Sequence, residues 1–369
     1  MRRLRGHVGQ ALRLAPFLIA CWTVAAFLAA NVSGVAWTDF GGPGPQTASS
    51  ARTLVRTFLV GTLVGLISAW LETAILPRPM RTLPLWGALL LRTVTYAVAL
   101  LLAMGVIVLS FGYVLGGLAP RELVTDPAFQ AFRSSGVLQR FALLLLASSF
   151  VINLVLQLRR VLGPATIQAL FLGTYRRPRR EERAFAFLDL TDSTAWAERL
   201  GPLAFTDFKN DFFGDVAEPV LATGGRIVQY VGDEVMVSWP MTRALRDGAP
   251  LRFFFLVEDR VARRAERYRA RYGEVPRFKA GVHGGWVVTA EVGDLKRDIV
   301  HSGDVVNTAA RIEGECRPRG RRLLVSRELA HRMVVPEGVA LTELGEAALR
   351  GKAEPVGLCA ADRAERAIG

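Results

Sequence analysis

AFLDLTDSTAWAERLG, residues 186–201, carries an apolar run into Asp189 and follows it with the cap-type residues Thr191, Asp192 and Ser193. A buried strand that stops on a carboxylate and leads at once into a helix suits a hard cation and a polyphosphate. The free N–H groups of the helix start accept anionic oxygens while the carboxylate holds the metal. Taken alone, the same residues would be ordinary helix caps. A second stretch, RIVQYVGDEVMVSW (226–239), alternates apolar residues on both sides of Gly232-Asp233, the tip of a hairpin. Asp189 and Asp233 each end a strand that a βαββ sheet places centrally. Two carboxylates can therefore meet at one edge and bind two hard cations without any His or Cys ligand.

Outward from this pair, short apolar runs alternate with polar helices. AFAFLDL is followed by a helix to about 222, then RIVQYV and VMVSW, a helix over about 250–272, RFKAGVH, WVVTAEV, RDIVHS, a helix near 304–316, and RRLLVS. The pattern predicts an α/β domain with a ferredoxin-like βαββαβ core over 184–369. Within RDIVHSGDVVNTAARIEGEC (297–316), Asn307 and Arg311 are four apart on a helix and share a face, offering an amide and a guanidinium fork. The structural alternative pairs Arg311 with Glu313 or Glu315. In LRGKAEPV (349–356), Lys352 is one of only four lysines in the chain, either a phosphate contact or a turn residue.

The first half reads differently. The 369-residue chain is 51% hydrophobic and 21% charged, with a mean hydropathy of +0.28. That is too apolar for an ordinary soluble enzyme and excludes a disordered chain. Four runs, roughly 14–33, 54–76, 86–116 and 141–158, are long enough to cross a hydrocarbon layer, which needs about 20 apolar residues. They predict an α-helical transmembrane domain over 1–158 with about four membrane-spanning helices. A basic linker over 159–183 follows, in which Gly163-Pro164 breaks the last helix, and Ile167, Leu170 and Phe171 fit a short amphipathic turn. Glu72 is the one acidic residue of interest in the spans and reads as snorkelling to the interface.

Residues 1–180 hold 18 Arg and 4 acidic residues, a balance of +14, out of a whole-chain charge of +13. The basic character therefore belongs to the apolar half, which argues against nucleic-acid binding. Arginines before the first run, between the second and third, and after the fourth predict a multi-pass protein of the inner (plasma) membrane, with its N-terminus and its second half cytoplasmic. Cys21, Cys316 and Cys359 are too few and too scattered for a disulfide framework or a zinc site.

FLDLTDST, QYVGDEV, AGVHGGWVV, GDVVNTAARIEG and RGKAEPV follow one another in the order and spacing of the class III adenylate/guanylate cyclase catalytic domain, which residues 184–361 resemble. The resemblance implies two Mg²⁺ or Mn²⁺ per site, held by Asp189 and Asp233 with the Leu190 carbonyl. It implies that Asn307 orients the ribose, that Arg311 offsets transition-state charge, and that Lys352, or Arg350 beside it, binds the triphosphate. Thr191, Asp192, Ser193 and Thr194 fall where the phosphates are expected. The resemblance further implies a homodimer, in which the aspartates of one subunit face the Asn/Arg helix of the other.

At the base-reading positions the chain has Gln229 and Val300, which match neither the adenylate nor the guanylate pattern. A glutamine amide can serve either base. With no carboxylate at 229 for guanine, the expected substrate is ATP, converted to 3′,5′-cyclic AMP and pyrophosphate, with GTP as the alternative. A rival reading makes the domain a catalytically degenerate dimerisation module of a membrane sensor. The presence of Asp189, Asp233, Asn307 and Arg311 argues against it. A diguanylate cyclase would need a different hairpin from Tyr-Val-Gly-Asp-Glu.

Overall fold

The computed structural model describes residues 14–28, 51–74, 83–84, 86–98, 137–163 and 172–364 except 295–296, together with 125, 130, 167 and 169. The chain divides into two compact units, Met1–Ile167 and Gln168–Gly369.

In the first unit, helices cover 14–28 (α1), Ala51–Ala74 (α2), 86–98 (α3) and Val137–Leu162 (α4). Parts of the expected spans, 29–33, 75–76 and 99–116, lie outside the described residues, as do Leu170 and Phe171 of the expected amphipathic turn. Among the described residues no helix is long and apolar enough to cross a membrane. Over the described residues the four expected spans coincide with these four helices. Of these, α1 and α3 are described over less than the ~20 residues a crossing needs, and the described side chains of α2 and α4 lie mostly within 58–72 and 143–158.

Leu18, Trp22, Ala69, Ile152 and Leu156 form a buried cluster joining α1, α2 and α4. Gly61 and Gly65 let α2 approach α1, since a Cβ there would sit 2.5 Å from Thr23 Cα and 2.7 Å from Ile19 Cα. Glu72 does not snorkel. It is buried, 3.5 Å from the Arg92 guanidinium, and accepts a 3.1 Å hydrogen bond from the Tyr96 hydroxyl. A charge drawn out of water in this way needs a partner, and Arg92 supplies it. The α4 helix ends at Leu162, where Gly163 turns the chain with φ +81°.

The second unit is a sheet in the order β2-β3-β1-β4-β6-β8-β7, with β5 paired to β4. Its elements are β1 (Arg179–Leu190), α5 (Ser193–Ala222), β2 (Arg226–Val231), β3 (Glu234–Pro240), α6 (Met241–Asp247), α7 (Ala249–Arg263), α8 (Ala265–Tyr272), β4 (Phe278–Val292), β5 (Asp298–Ser302), α9 (Asp304–Gly314), β6 (Leu323–Ser326), α10 (Arg327–Arg332), β7 (Val339–Ala347) and β8 (Val356–Arg363). The antiparallel run β2-β3-β1-β4 is the expected βαββαβ core.

Three details differ from the sequence reading. β1 starts at Arg179, among residues read as linker. RFKAGVH and WVVTAEV form one strand, β4, because β1 gives it a continuous partner from Arg179↔Thr289 to Leu190↔Phe278. Beyond RRLLVS, β7 and β8 extend the sheet.

Alternation along β1 explains the layers. Ala184, Ala186, Leu188 and Leu190 enter a core with Phe208 and Phe212 of α5 and Phe253 and Phe254 of α7. Phe185 and Phe187 point the other way, into a cluster with Val287 of β4 and Ala309 of α9. Asp189 continues this second series, so it emerges on the α9 side of the sheet at the end of the strand.

Candidate active site

The strand register assembles the first half of the site. Asp189 lies opposite Glu234 on β3 and opposite Lys279 on β4, so the three side chains form one row across the sheet. Asp233 occupies the β2–β3 turn beside that row, and Lys209 of α5 donates to the Gly232 carbonyl at 3.3 Å, holding the turn. Gly281 brings α9 down onto β4, since a Cβ there would lie 2.5 Å from Glu313 Cα. This approach seats the Glu313 carboxylate directly on the Lys279 ammonium, whose other neighbour is Asp189 at 3.1 Å.

Four carboxylates thus crowd around one cation. Burial raises the Asp189 pKa, against the pull of Lys279, and the neighbouring Asp233 raises it further. Burial, then Glu313, Asp189 and Asp233, push Glu234 up to about 7. Glu313 is likewise raised by burial. For Lys279 burial acts downward, yet Glu313 and Asp189 outweigh it and raise its pKa. A site with this surplus of negative charge fits divalent cations. Among the described residues no group of three or more His, Cys, Asp or Glu is arranged to hold a metal. An ion held by Asp189 and Asp233 would therefore complete its shell with other oxygens, such as a backbone carbonyl or a phosphate, the usual manner of Mg²⁺.

Next to this row opens a cleft of about 530 Å³, lined by residues 189–194 on one side and by Lys279, Cys316, Arg317, Gly320, Arg321 and Arg322 on the other. Asp189, Leu190, Thr191, Asp192, Ser193 and Thr194 thus line it together. No side chain caps the start of α5, which leaves its first N–H groups open to an anion. Asp192 neither caps the helix nor points unopposed at the cleft. Its backbone is left-handed (φ 57°), a conformation natural to glycine, and its carboxylate lies 3.5 Å from Arg277.

The remaining residues gather elsewhere on the same domain. Asn307 is exposed on α9, one turn before Arg311. Arg311 pairs with neither acid considered from sequence: Glu313 is held by Lys279 and Glu315 by Arg319 at 3.2 Å. Its buried Nη1 has no hydrogen-bond partner. The guanidinium lies over the Gly351 backbone, with Nη2 3.3 Å from where a Cβ would stand. Beside it Lys352 forms an ion pair with Asp304 at the head of α9. Gln229 on β2 and Val300 on β5 are exposed and do not line the cleft.

Sequence reasoning missed Lys279, Glu234 and Glu313 as members of the site. The signal available for Lys279 was its scarcity, since it is one of four lysines and sits at the start of an otherwise apolar strand.

Comparison with known proteins follows this geometry. Residues 176–359 match the adenylate and guanylate cyclase catalytic domain. The chain is 42% identical to adenylate cyclase 2 of Rhizobium meliloti (strain 1021) over 57% of its own length and 58% of that protein's. It is 26% identical to an adenylate cyclase of Anabaena cylindrica over 54% of its length and 39% of that protein's. The chain thus spans about half the length of these curated relatives. A bacterial light-regulated adenylyl cyclase of known structure shares the fold with a TM-score of 0.50 at 20% identity, covering 57% of this chain and 62% of that one.

Proposed function

From the premise that residues 176–359 belong to the adenylate and guanylate cyclase catalytic family, we propose that the chain is a membrane-anchored class III adenylate cyclase. It converts ATP to 3′,5′-cyclic AMP and pyrophosphate at sites shared between two copies. The observation that carries this reading is the convergence of Asp189 and Asp233 beside an uncapped helix start, in a cleft furnished with cationic side chains.

In this reading Asp189, Asp233 and the Leu190 carbonyl hold two Mg²⁺ or Mn²⁺, which supply a lowered pKa at the ribose 3′-hydroxyl and charge for the triphosphate. The backbone N–H groups at the start of α5, with Thr191, Ser193 and Thr194, orient the phosphates. The partner copy brings its own α9, so that Asn307 positions the ribose and the Arg311 fork meets the charge that grows on the α-phosphoryl oxygens. The unpaired Nη1 of Arg311 is a donor waiting for such an oxygen. Lys352 exchanges Asp304 for the triphosphate. Gln229 and Val300 border the base.

Pairing of two copies is supported by the apolar side chains that strands leave exposed: Tyr230 and Val231 on β2, Trp286, Val288 and Val292 on β4, and Val300 on β5. The cytoplasmic placement of the N-terminus and catalytic half rests on the arginines that flank the apolar runs, and anchoring in a membrane is supported by the inverted pattern of the helical unit. Leu59, Leu63 and Trp70 on α2 and Leu143 and Val151 on α4 are exposed, whereas Glu72 and Arg92 are buried.

The test is a turnover assay on the full chain with Mg²⁺ or Mn²⁺ and with ATP and GTP side by side. Cyclic AMP is the expected product. Cyclic GMP alone moves the assignment to a guanylate cyclase, and no cyclic nucleotide from either substrate removes it.

A further inference from the structure

The loop over 315–322, which joins α9 to β6, forms the wall of the cleft opposite the start of α5. It is a fixed wall. The Arg321 amide donates to the Cys316 carbonyl at 2.9 Å and the Ala280 amide to the Arg322 carbonyl at 2.7 Å, which stitches the loop to β4 one residue from Lys279. Below it the Cys316 thiol, its pKa pushed up to about 12 by burial, contacts the Ala280 carbonyl at 3.3 Å.

The loop carries four arginines, and three are engaged. Arg319 binds Glu315 and the Leu344 carbonyl, each at 3.2 Å. Arg321 pairs with Asp362 at 3.0 Å and Arg322 with Glu258 at 2.5 Å. Arg317 is exposed at the mouth of the cleft; its carbonyl accepts from the Gly320 amide at 3.1 Å, and among the described residues its guanidinium makes no hydrogen bond or ion pair.

The other charges on the cleft are already matched. Lys279 serves Asp189 and Glu313, and Arg277 serves Asp192. A polyphosphate entering between the two walls would meet one uncommitted guanidinium on a rigid loop. Arg matches phosphate oxygens through paired N–H donors and keeps its charge at every working pH.

We infer that Arg317 is a further phosphate-binding residue, which grips the terminal phosphate of the bound nucleotide and the pyrophosphate that leaves. The inference rests on the cyclase reading of the same cleft. Its contact is with the group that departs, so it acts on binding and release and leaves the reacting centre to other residues.

The experiment compares the full chain with Arg317→Ala and Arg317→Lys. Calorimetric titration with inorganic pyrophosphate and Mg²⁺ is run beside steady-state kinetics on ATP. Arg317→Ala is expected to weaken pyrophosphate binding and raise KM by about tenfold each, a change of ~1.4 kcal/mol, with kcat within about twofold. Arg317→Lys is expected to recover part of both. The Arg317 side chain is exposed and without an intramolecular partner among the described residues, so neither variant threatens the fold. Unchanged pyrophosphate affinity in Arg317→Ala, or a wild-type chain that does not bind pyrophosphate, overturns the inference. If the wild type binds pyrophosphate but makes no cyclic nucleotide, the cyclase reading falls, and the phosphate subsite is still decided by the binding comparison.

Discussion

Lys279 stands 3.1 Å from Asp189 on one side and against Glu313 on the other, a single ammonium shared between two carboxylates that come from different layers of the domain. Asp189 belongs to β1 and Glu313 to α9, so the lysine bonds sheet to helix as well as balancing charge. Removing it leaves Asp189, Asp233, Glu234 and Glu313 facing one another without an internal counterion.

Lys279→Met should therefore lower the stability of the metal-free protein by about 1–3 kcal/mol, the cost of stripping a partner from partly buried charged groups. Divalent cations should restore more of the loss than they add to the wild type, because they occupy the same surplus of negative charge. Thermal unfolding with and without Mn²⁺ measures both effects. Equal Mn²⁺ gains in the two proteins would count against a metal site at this row.

Asp233→Ala and Arg311→Ala should each remove most turnover, Arg311→Ala through kcat by on the order of 10²-fold. The two substitutions fall at separate places in the domain, Asp233 beside Asp189 and Arg311 over Gly351. If sites are shared, mixing the two inactive proteins should restore a fraction of activity, since a mixed pair carries one complete set. Cyclic AMP formation after co-expression is the readout. Inactivity of every mixture would mean that each copy works alone.

Two histidines give the domain a pH signature. His283 is buried, accepts or donates at Nδ1 to Ser326 Oγ at 2.8 Å, and is lowered to about 4 by burial, with Lys352 adding and Asp304 opposing. His301 meets Thr289 Oγ1 at 2.8 Å and is also lowered to about 4, by burial and then Arg183, with Glu181 opposing and Arg226 adding. Both stay neutral when folded but bind protons when unfolded below 6.5. Their stability contribution is thus constant above that pH and declines as pH falls toward 4. Glu234, raised to about 7, acts with the opposite sign, losing stability as pH climbs from 4.5 to 7. The comparison of His283→Gln with wild type isolates the histidine: the variant should lack up to about 3 kcal/mol of the acid-side loss. Parallel unfolding curves from pH 7 to 4 would refute the assignment.

Much of this arrangement was legible in the sequence, and the exceptions share a cause. Asp189 and Asp233 could be paired because each closes an apolar run, and Asn307 and Arg311 because helical spacing puts them on one face. Lys279 and Glu313 could not. They meet only through the strict β1–β4 register and through the close approach that Gly281 permits, neither of which leaves a local pattern. The same blindness offered Glu313 or Glu315 to Arg311 in the structural alternative, when α9 turns Glu313 toward the sheet. Glu72 was misread for a related reason: its partner, Arg92, lies on a different helix, twenty residues on, and no local pattern joins the two. β4 looked like two strands because Gly284-Gly285 interrupts its side chains without interrupting its hydrogen bonds.

The ladder between β1 and β4 runs without a break from Arg179↔Thr289 to Leu190↔Phe278, and the polypeptide enters β1 at the Arg179 end. Tension applied along the chain at that end would load the ladder in shear, stressing many bonds at once where unzipping would break them singly. A tug from upstream would accordingly be shared out along β1 into β4 before it reached Asp189, making this strand a stiff anchor rather than a hinge.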